Sequence, residues 1–293
     1  MAEIFSNIES FFKQKSILSY LIIINLFVFF LLKITEGLVL LYDIHSIDPL
    51  VIFGIPASFG RLAVHPWTLL TYMFTHLGFW HILFNLLWLY WFGRLFVIFF
   101  GSRQLGGLYV LGGIAGGLLF VLSYNFFPYF LKFTDSAYLI GASASVMAIV
   151  FATAFYKKDY GVNILFLGNV KLIYIALFLL LWDFISIQEN SGGHIAHIGG
   201  ALMGYGFAES YRKGRDLTGW INAMIDWIVD FFTRKRKKKR IKVVYKRPMT
   251  DYEYNKRRSE QQAEIDRILD KIKKSGYNSL SDNEKKTLFK ANK

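Results

Sequence analysis

Cysteine is absent from the 293 residues, which excludes disulfide frameworks, thiolate metal sites and cysteine nucleophiles and leaves the redox compartment undetermined. Charge is scarce: 19% of residues are Asp, Glu, Lys or Arg, against 54% hydrophobic and 18% aromatic, a balance that few soluble folds keep in solution. These shortages exclude a soluble enzyme, a secreted disulfide scaffold and a fully disordered chain. The charge that is present lies at one end. Residues 1–210 balance 10 Lys and Arg against 10 Asp and Glu, while residues 211–293 carry 24 against 11, so the whole net charge of +13 sits in the last 83 residues. All six histidines, at 45, 65, 76, 81, 194 and 197, lie in the apolar part.

Six apolar runs have the roughly 17–25 residues needed to cross a hydrocarbon core of about 30 Å: 17–38, 79–100, 105–127, 138–156, 165–185 and 193–211. The chain is therefore expected to be an all-α polytopic membrane protein with six transmembrane helices. The first run begins too far in, and lacks a small-residue cleavage site, so it reads as a retained span rather than a signal peptide. Basic residues near span ends stay on the cytoplasmic side. Placing the N-terminus inside puts Lys13, Lys15, Arg94, Arg103, Lys157, Lys158 and the basic tail in the cytoplasm and leaves Arg61 and Lys132 outside. The expected location is a bacterial inner membrane with both termini cytoplasmic. Lys171 snorkels from the start of span five, while Lys33 finds no assignment. The connection 39–78 is too apolar to float in water and is expected against the bundle or half in the lipid interface.

Unpaired polar groups are costly in lipid, so each one inside a span is a candidate site. His81 and Asn85, at i and i+4, share one face of span two. Ser143, within Gly141-Ala142-Ser143-Ala144-Ser145, is expected about five residues into span four, and His194 and His197 open span six. With this topology spans two, four and six start from one face, so the four groups fall at similar shallow depths. Ser143 alone also reads as a small packing residue bonding its own helix, and His81 as an inter-helix hydrogen-bonding group. Together they supply acyl-transfer chemistry: an imidazole takes the serine proton, and Asn, a second His and the serine N–H donate to an oxyanion. A metal set of His76, His81, His194 and His197 is an alternative, but it lacks carboxylates to complete the shell.

These residues fall in three ordered motifs: His76-x-x-x-x-His81-x-x-x-Asn85, Gly141-Ala142-Ser143-Ala144, and Ala196-His197-Ile198-Gly199-Gly200-Ala201-Leu202-Met203-Gly204. On them the chain resembles the rhomboid family of intramembrane serine proteases over about residues 10–210. The resemblance implies a six-transmembrane-helix rhomboid-like bundle and cleavage of transmembrane segments by a dyad of Ser143 as nucleophile and His197 as general base. It also implies an oxyanion site of His81, Asn85 and the Ser143 N–H, with no metal or other cofactor, and makes His194 a neighbour and Ser145 a packing residue. Gly200 and Gly204, at i+3 and i+7 from His197, leave one helix face bare so that span six approaches span four; Gly141 belongs with them as packing support. The chain departs from the family at Trp67-Thr68, where Trp-Arg is common, and at Met147, where an aromatic ring is common. A Glu common at the end of the second helix is missing after Gly93-Arg94. A non-proteolytic rhomboid-like protein that binds transmembrane helices is the alternative. A transporter would need solute flux independent of Ser143, and no inverted repeat supports it.

The expected divisions are a membrane domain, 1–211, an interfacial helix and basic linker, 212–258, and a small cytoplasmic helical hairpin, 259–293. Leu217, Trp220, Ile221, Met224, Trp227, Ile228 and Phe231 recur at helical spacing, which suits a helix lying on the inner leaflet. Seven consecutive basic residues at 234–240 are expected to bind anionic lipid. No aromatic-interleaved platform accompanies them, which argues against nucleic acid. In the hairpin, Ile265, Ile268, Leu269 and Ile272 form an apolar stripe, and Ser281-x-x-Glu284 is a capping-box signal. Its partner is unknown from sequence.

Overall fold

In a bilayer every backbone N–H and C=O needs a partner within the protein, so a spanning segment folds as a helix. The computed structural model describes residues 16–43, 48–164, 168–233 and 251–291. Its longer elements are α1 (Ile17–Leu41), strand β1 (Ile55–Pro56), α2 (Phe79–Phe100), α3 (Ser102–Phe126), β2 (Tyr138–Leu139), α4 (Ser143–Tyr156), β3 (Gly161–Ile164), β4 (Gly168–Lys171), α5 (Leu172–Ile185), α6 (Ser191–Arg212), α7 (Gly219–Thr233), α8 (Asp251–Ser275) and α9 (Asp282–Ala291). By length and composition α1, α2 and α3 are each able to cross a membrane, while α4 and α5 are shorter apolar helices. The protein is an all-α membrane bundle.

The centre of the bundle is α3, α4 and α6, and small residues set their spacing. A Cβ on Gly112 would lie 2.3 Å from Ala148 Cβ, and one on Gly116 2.4 Å from Ala144 Cβ. On α6, a Cβ on Gly200 would lie 2.1 Å from the Ala144 carbonyl oxygen, and one on Gly204 2.2 Å from that of Ala148. Backbone meets backbone at both points, and such contact is how helices associate where lipid is as apolar as leucine. Around this centre α1 packs on α2 and α3. Asn25 donates to the Tyr109 hydroxyl at 3.1 Å, and Tyr109 donates to Met73 O at 2.8 Å. This fully buried chain ties α1 and α3 to the connection that leads into α2. Lys33, unassigned from sequence, pairs with Glu36 at 2.7 Å.

The connection before α2 lies against the bundle. It is pinned by Trp67 Nε1 on Ile52 O at 3.0 Å, Thr71 on Phe53 O at 2.9 Å, Asn125 on Ala57 O at 2.7 Å, and the Tyr72 hydroxyl on Gly113 O. Thr68 donates to His65 O at 2.6 Å. Strand β1 pairs antiparallel with β2, Ile55 opposite Leu139 and Pro56 opposite Tyr138.

That pairing corrects the sequence reading of span four. Residues 138–139 are extended, and Ser143 is the first residue of α4 rather than about the fifth residue of a helix. At 1.5 Å per residue, the 14 residues of α4 cover only about 21 Å of a core about 30 Å thick. The helix is thus too short to cross the core alone, and the strand that leads into it has its backbone paired with β1. Span five is also shorter than expected. Residues 165–167 lie outside the described residues, their neighbours pair as β3 and β4, and α5 begins at Leu172.

The chain divides into two compact units, Met1–Arg234 and Lys235–Lys293. The amphipathic helix α7 falls in the first of these units. It docks on α3, where a Cβ on Gly107 would meet Thr218 at 2.5 Å, and Arg103 pairs with Asp226. The basic run 234–240 lies outside the described residues. In the second unit α8 opens at Asp251, ahead of the expected start at 259. Ile268 and Leu280 are buried, and the Ser281–Glu284 capping box closes: Ser281 N–H donates to Glu284 Oε2 at 2.7 Å, and Glu284 N–H to Ser281 Oγ at 3.4 Å.

The Ser281 N–H, then Lys271 Nζ and the Ser281 hydroxyl, pull the Glu284 carboxyl from 4.5 down to about 2. A carboxylate depressed in the folded state adds stability above its unfolded value and loses it as pH falls through the folded one. The α8–α9 unit is thus expected to loosen between about pH 4.5 and pH 2, read from methyl NMR of Ile268 and Leu280 in the full chain. Signals unchanged across that interval refute the link.

Candidate active site

The site begins where β2 turns into α4. Gly141 has φ of +115°, a left-handed conformation that suits glycine. Its N–H donates to Tyr72 O at 2.8 Å, and the Ala142 N–H donates to His76 Nε2 at 3.3 Å. His76 is fully buried and so acts as a strut beneath the Ser143 turn. A Cβ on Gly141 would lie 2.7 Å from both Cε1 and Nε2 of His81, which places that imidazole directly over the turn. Gly141→Ala therefore combines about 1–2 kcal/mol of backbone strain with displacement of His81. We expect it to lower the melting temperature and to shift the His81 ring signals in NMR of the full chain; an unchanged His81 environment contradicts the placement.

As the first helical residue, Ser143 has an N–H with no acceptor four residues back. Its side chain is half-buried and lines a cavity of about 590 Å³ together with His81, Asn85, His194, His197 and Met147. The four groups expected to converge, from α2, α4 and α6, therefore share one space. Asn85 is buried, and one of its amide protons serves His81 O at 2.8 Å; the other is left for a partner in the cavity. No hydrogen bond joins Ser143 to His197 among the described residues. Ser145 is fully buried, its Oγ 4.0 Å from Met73 Sδ, and it packs between helices rather than entering the cavity.

Sequence reasoning missed Asp183. This residue of α5 is 4% exposed, and its Oδ1 lies 2.7 Å from His197 Nδ1 and 2.7 Å from His194 Nδ1. A single acid inside the run Leu179-Leu180-Leu181-Trp182-Asp183-Phe184 was the available signal, because an ionisable group at membrane depth is by default a candidate site. The histidines do not form the four-membered metal set considered from sequence. His76 stacks edge-on against His81 with ring centroids 5.0 Å apart, and His194 lies against His197 at 5.7 Å. Among the described residues, the group with metal-ligating geometry is Asp183, His194 and His197, whose ligand atoms lie within 4.8 Å of one another. The two hydrogen bonds to one carboxylate oxygen account for that closeness.

A rhomboid-domain family model matches residues 63–213, more than half of the chain, and takes in every residue of the cavity described above. The chain belongs to the rhomboid family. A second model, a family of unknown function (DUF6576), matches residues 250–290, the α8–α9 unit of this rhomboid protein. It is also similar to RHOMBOID-like protein 12, mitochondrial, from Arabidopsis thaliana, with 27% identity over 158 residues, 50% of this chain and 47% of the relative. The chain thus spans about half the length of the curated relative it matches.

Proposed function

We propose that this rhomboid protein is an intramembrane serine endopeptidase that cleaves transmembrane segments of other membrane proteins. The observation that carries this reading is the cavity in the bundle that Ser143, His197, His81 and Asn85 line together. Ser143 attacks the scissile carbonyl as His197 takes its proton, and His197 then gives that proton to the leaving amine. The Ser143 N–H, His81 and the free amide proton of Asn85 stabilise the oxyanion. The hydrogen bond from Ser143 to His197 forms as substrate seats, since catalytic hydrogen bonds often tighten only in the complex.

A transmembrane substrate is a helix with its carbonyls already bonded, so it must unwind before one reaches Ser143. Segments with small or helix-breaking residues near the end level with Ser143 are therefore preferred. The test uses the purified full chain in vesicles and a transmembrane substrate in which a Gly-Ala pair is moved along the helix. Cleavage should peak at one depth, and a fluorophosphonate should label Ser143. Cleavage indifferent to depth contradicts the unwinding step. Absence of both cleavage and labelling favours instead a non-proteolytic protein that binds transmembrane helices, a reading to which the unjoined Ser143 and His197 lend support.

The basic residues at the ends of α2, α3 and α4 further support an orientation with both termini cytoplasmic. The run 234–240 would then face anionic lipid.

A further inference from the structure

This inference rests on the reading of Ser143 and His197 as a proteolytic pair. A carboxylate in an apolar helix is expensive unless it is bonded, and all of the bonding seen at Asp183 comes from two imidazoles. Oδ1 takes both contacts, at 2.7 Å each, while Oδ2 is buried with no hydrogen-bond partner among the described residues. An ionised carboxylate only accepts, so each Nδ1 must carry the proton. In a neutral His197 that leaves the lone pair on Nε2, the tautomer a base needs to take a serine proton. When the proton arrives, the positive imidazolium faces a fixed negative charge in a poorly screened site.

We propose that Asp183 is a positioning residue that completes a Ser143–His197–Asp183 array, and that His194 holds the carboxylate in place. With Oδ2 unpartnered, the two Nδ1 donors make the only hydrogen bonds to the carboxylate among the described residues. Removing the His194 donor leaves His197 alone to hold Oδ1. A packing role for His194 would be met by any side chain of similar size, whereas this role needs a donor at the Nδ1 position.

The test compares the wild-type full chain in vesicles with Asp183→Asn, Asp183→Glu, His194→Asn and His194→Leu, measuring kcat and KM for a cleaved transmembrane substrate and the rate of fluorophosphonate labelling. Asp183→Asn should lower kcat and labelling together by about 10⁴-fold with KM little changed, and Asp183→Glu should recover part of the loss. His194→Asn, which keeps a donor near the Nδ1 position, should retain about tenfold more activity than His194→Leu. A wild-type kcat in Asp183→Asn overturns the proposal. So does a loss that appears in KM or in thermal stability instead of kcat, equal activity in the two His194 variants, or wild-type activity abolished by a chelator, which would make the cluster a metal site. Wild-type protein that neither cleaves nor labels removes the protease reading itself, an outcome distinct from these.

Discussion

Ser143→Ala and His197→Ala should each reduce cleavage of a transmembrane substrate by about 10⁴- to 10⁶-fold, and the double variant should be no worse than either alone. The hydroxyl is a nucleophile only while a base takes its proton, and the imidazole has no acyl-serine to hydrolyse unless the hydroxyl has reacted, so the two act as one unit and their losses do not add. Fluorophosphonate labelling should vanish in Ser143→Ala and fall with cleavage in His197→Ala. On the proposed reading, what survives is the polarising effect of the Ser143 N–H, His81 and Asn85 on the substrate carbonyl. Losses that multiply in the double variant would mean that Ser143 and His197 serve different steps.

Gly200→Val should disable the protein through geometry alone. The added Cβ would sit 2.1 Å from Ala144 O, 2.8 Å from its C and 3.1 Å from its Cα. All three are backbone atoms, so no rotamer relieves the clash and α6 must move off α4. His197 lies one turn before Gly200 and Ser143 one residue before Ala144, so the separation falls directly between base and nucleophile. A displacement of about 1 Å at reacting groups costs about 100-fold in rate, and overpacking costs about 1–3 kcal/mol of stability. Even Gly200→Ala should show the loss in rate. Gly206→Ala, on the same helix but with nothing within 4 Å of the new Cβ, should keep both rate and melting temperature. A Gly200 variant as active as Gly206→Ala would dissolve the argument.

The bundle was legible because lipid imposes one rule on every spanning segment, long apolar helices, and that rule is written in composition. The bare face of α6 was legible for a similar reason: glycines at fixed spacing from His197 have few other uses. The start of α4 was not. Tyr138 and Leu139 are apolar, and nothing local distinguishes a buried strand from the first turn of a helix; their pairing with Ile55 and Pro56, more than eighty residues away, decides it. Asp183 was missed for a different reason. The site was assembled from motif residues on α2, α4 and α6, and the acid comes from α5, where it meets His194 and His197 only through the fold.

The brevity of α5 reaches beyond the protein. Fourteen residues make a wall about 21 Å tall, and Tyr174, Phe178, Leu181, Trp182 and Ile185 turn outward from it. Lipid tails bordering that wall must compress or tilt to match it, a cost that rises with acyl chain length. On the proposed reading, a substrate helix beside Asp183 would sit in a bilayer thinner than its own span, a mismatch that favours drawing its ends toward water before it meets Ser143.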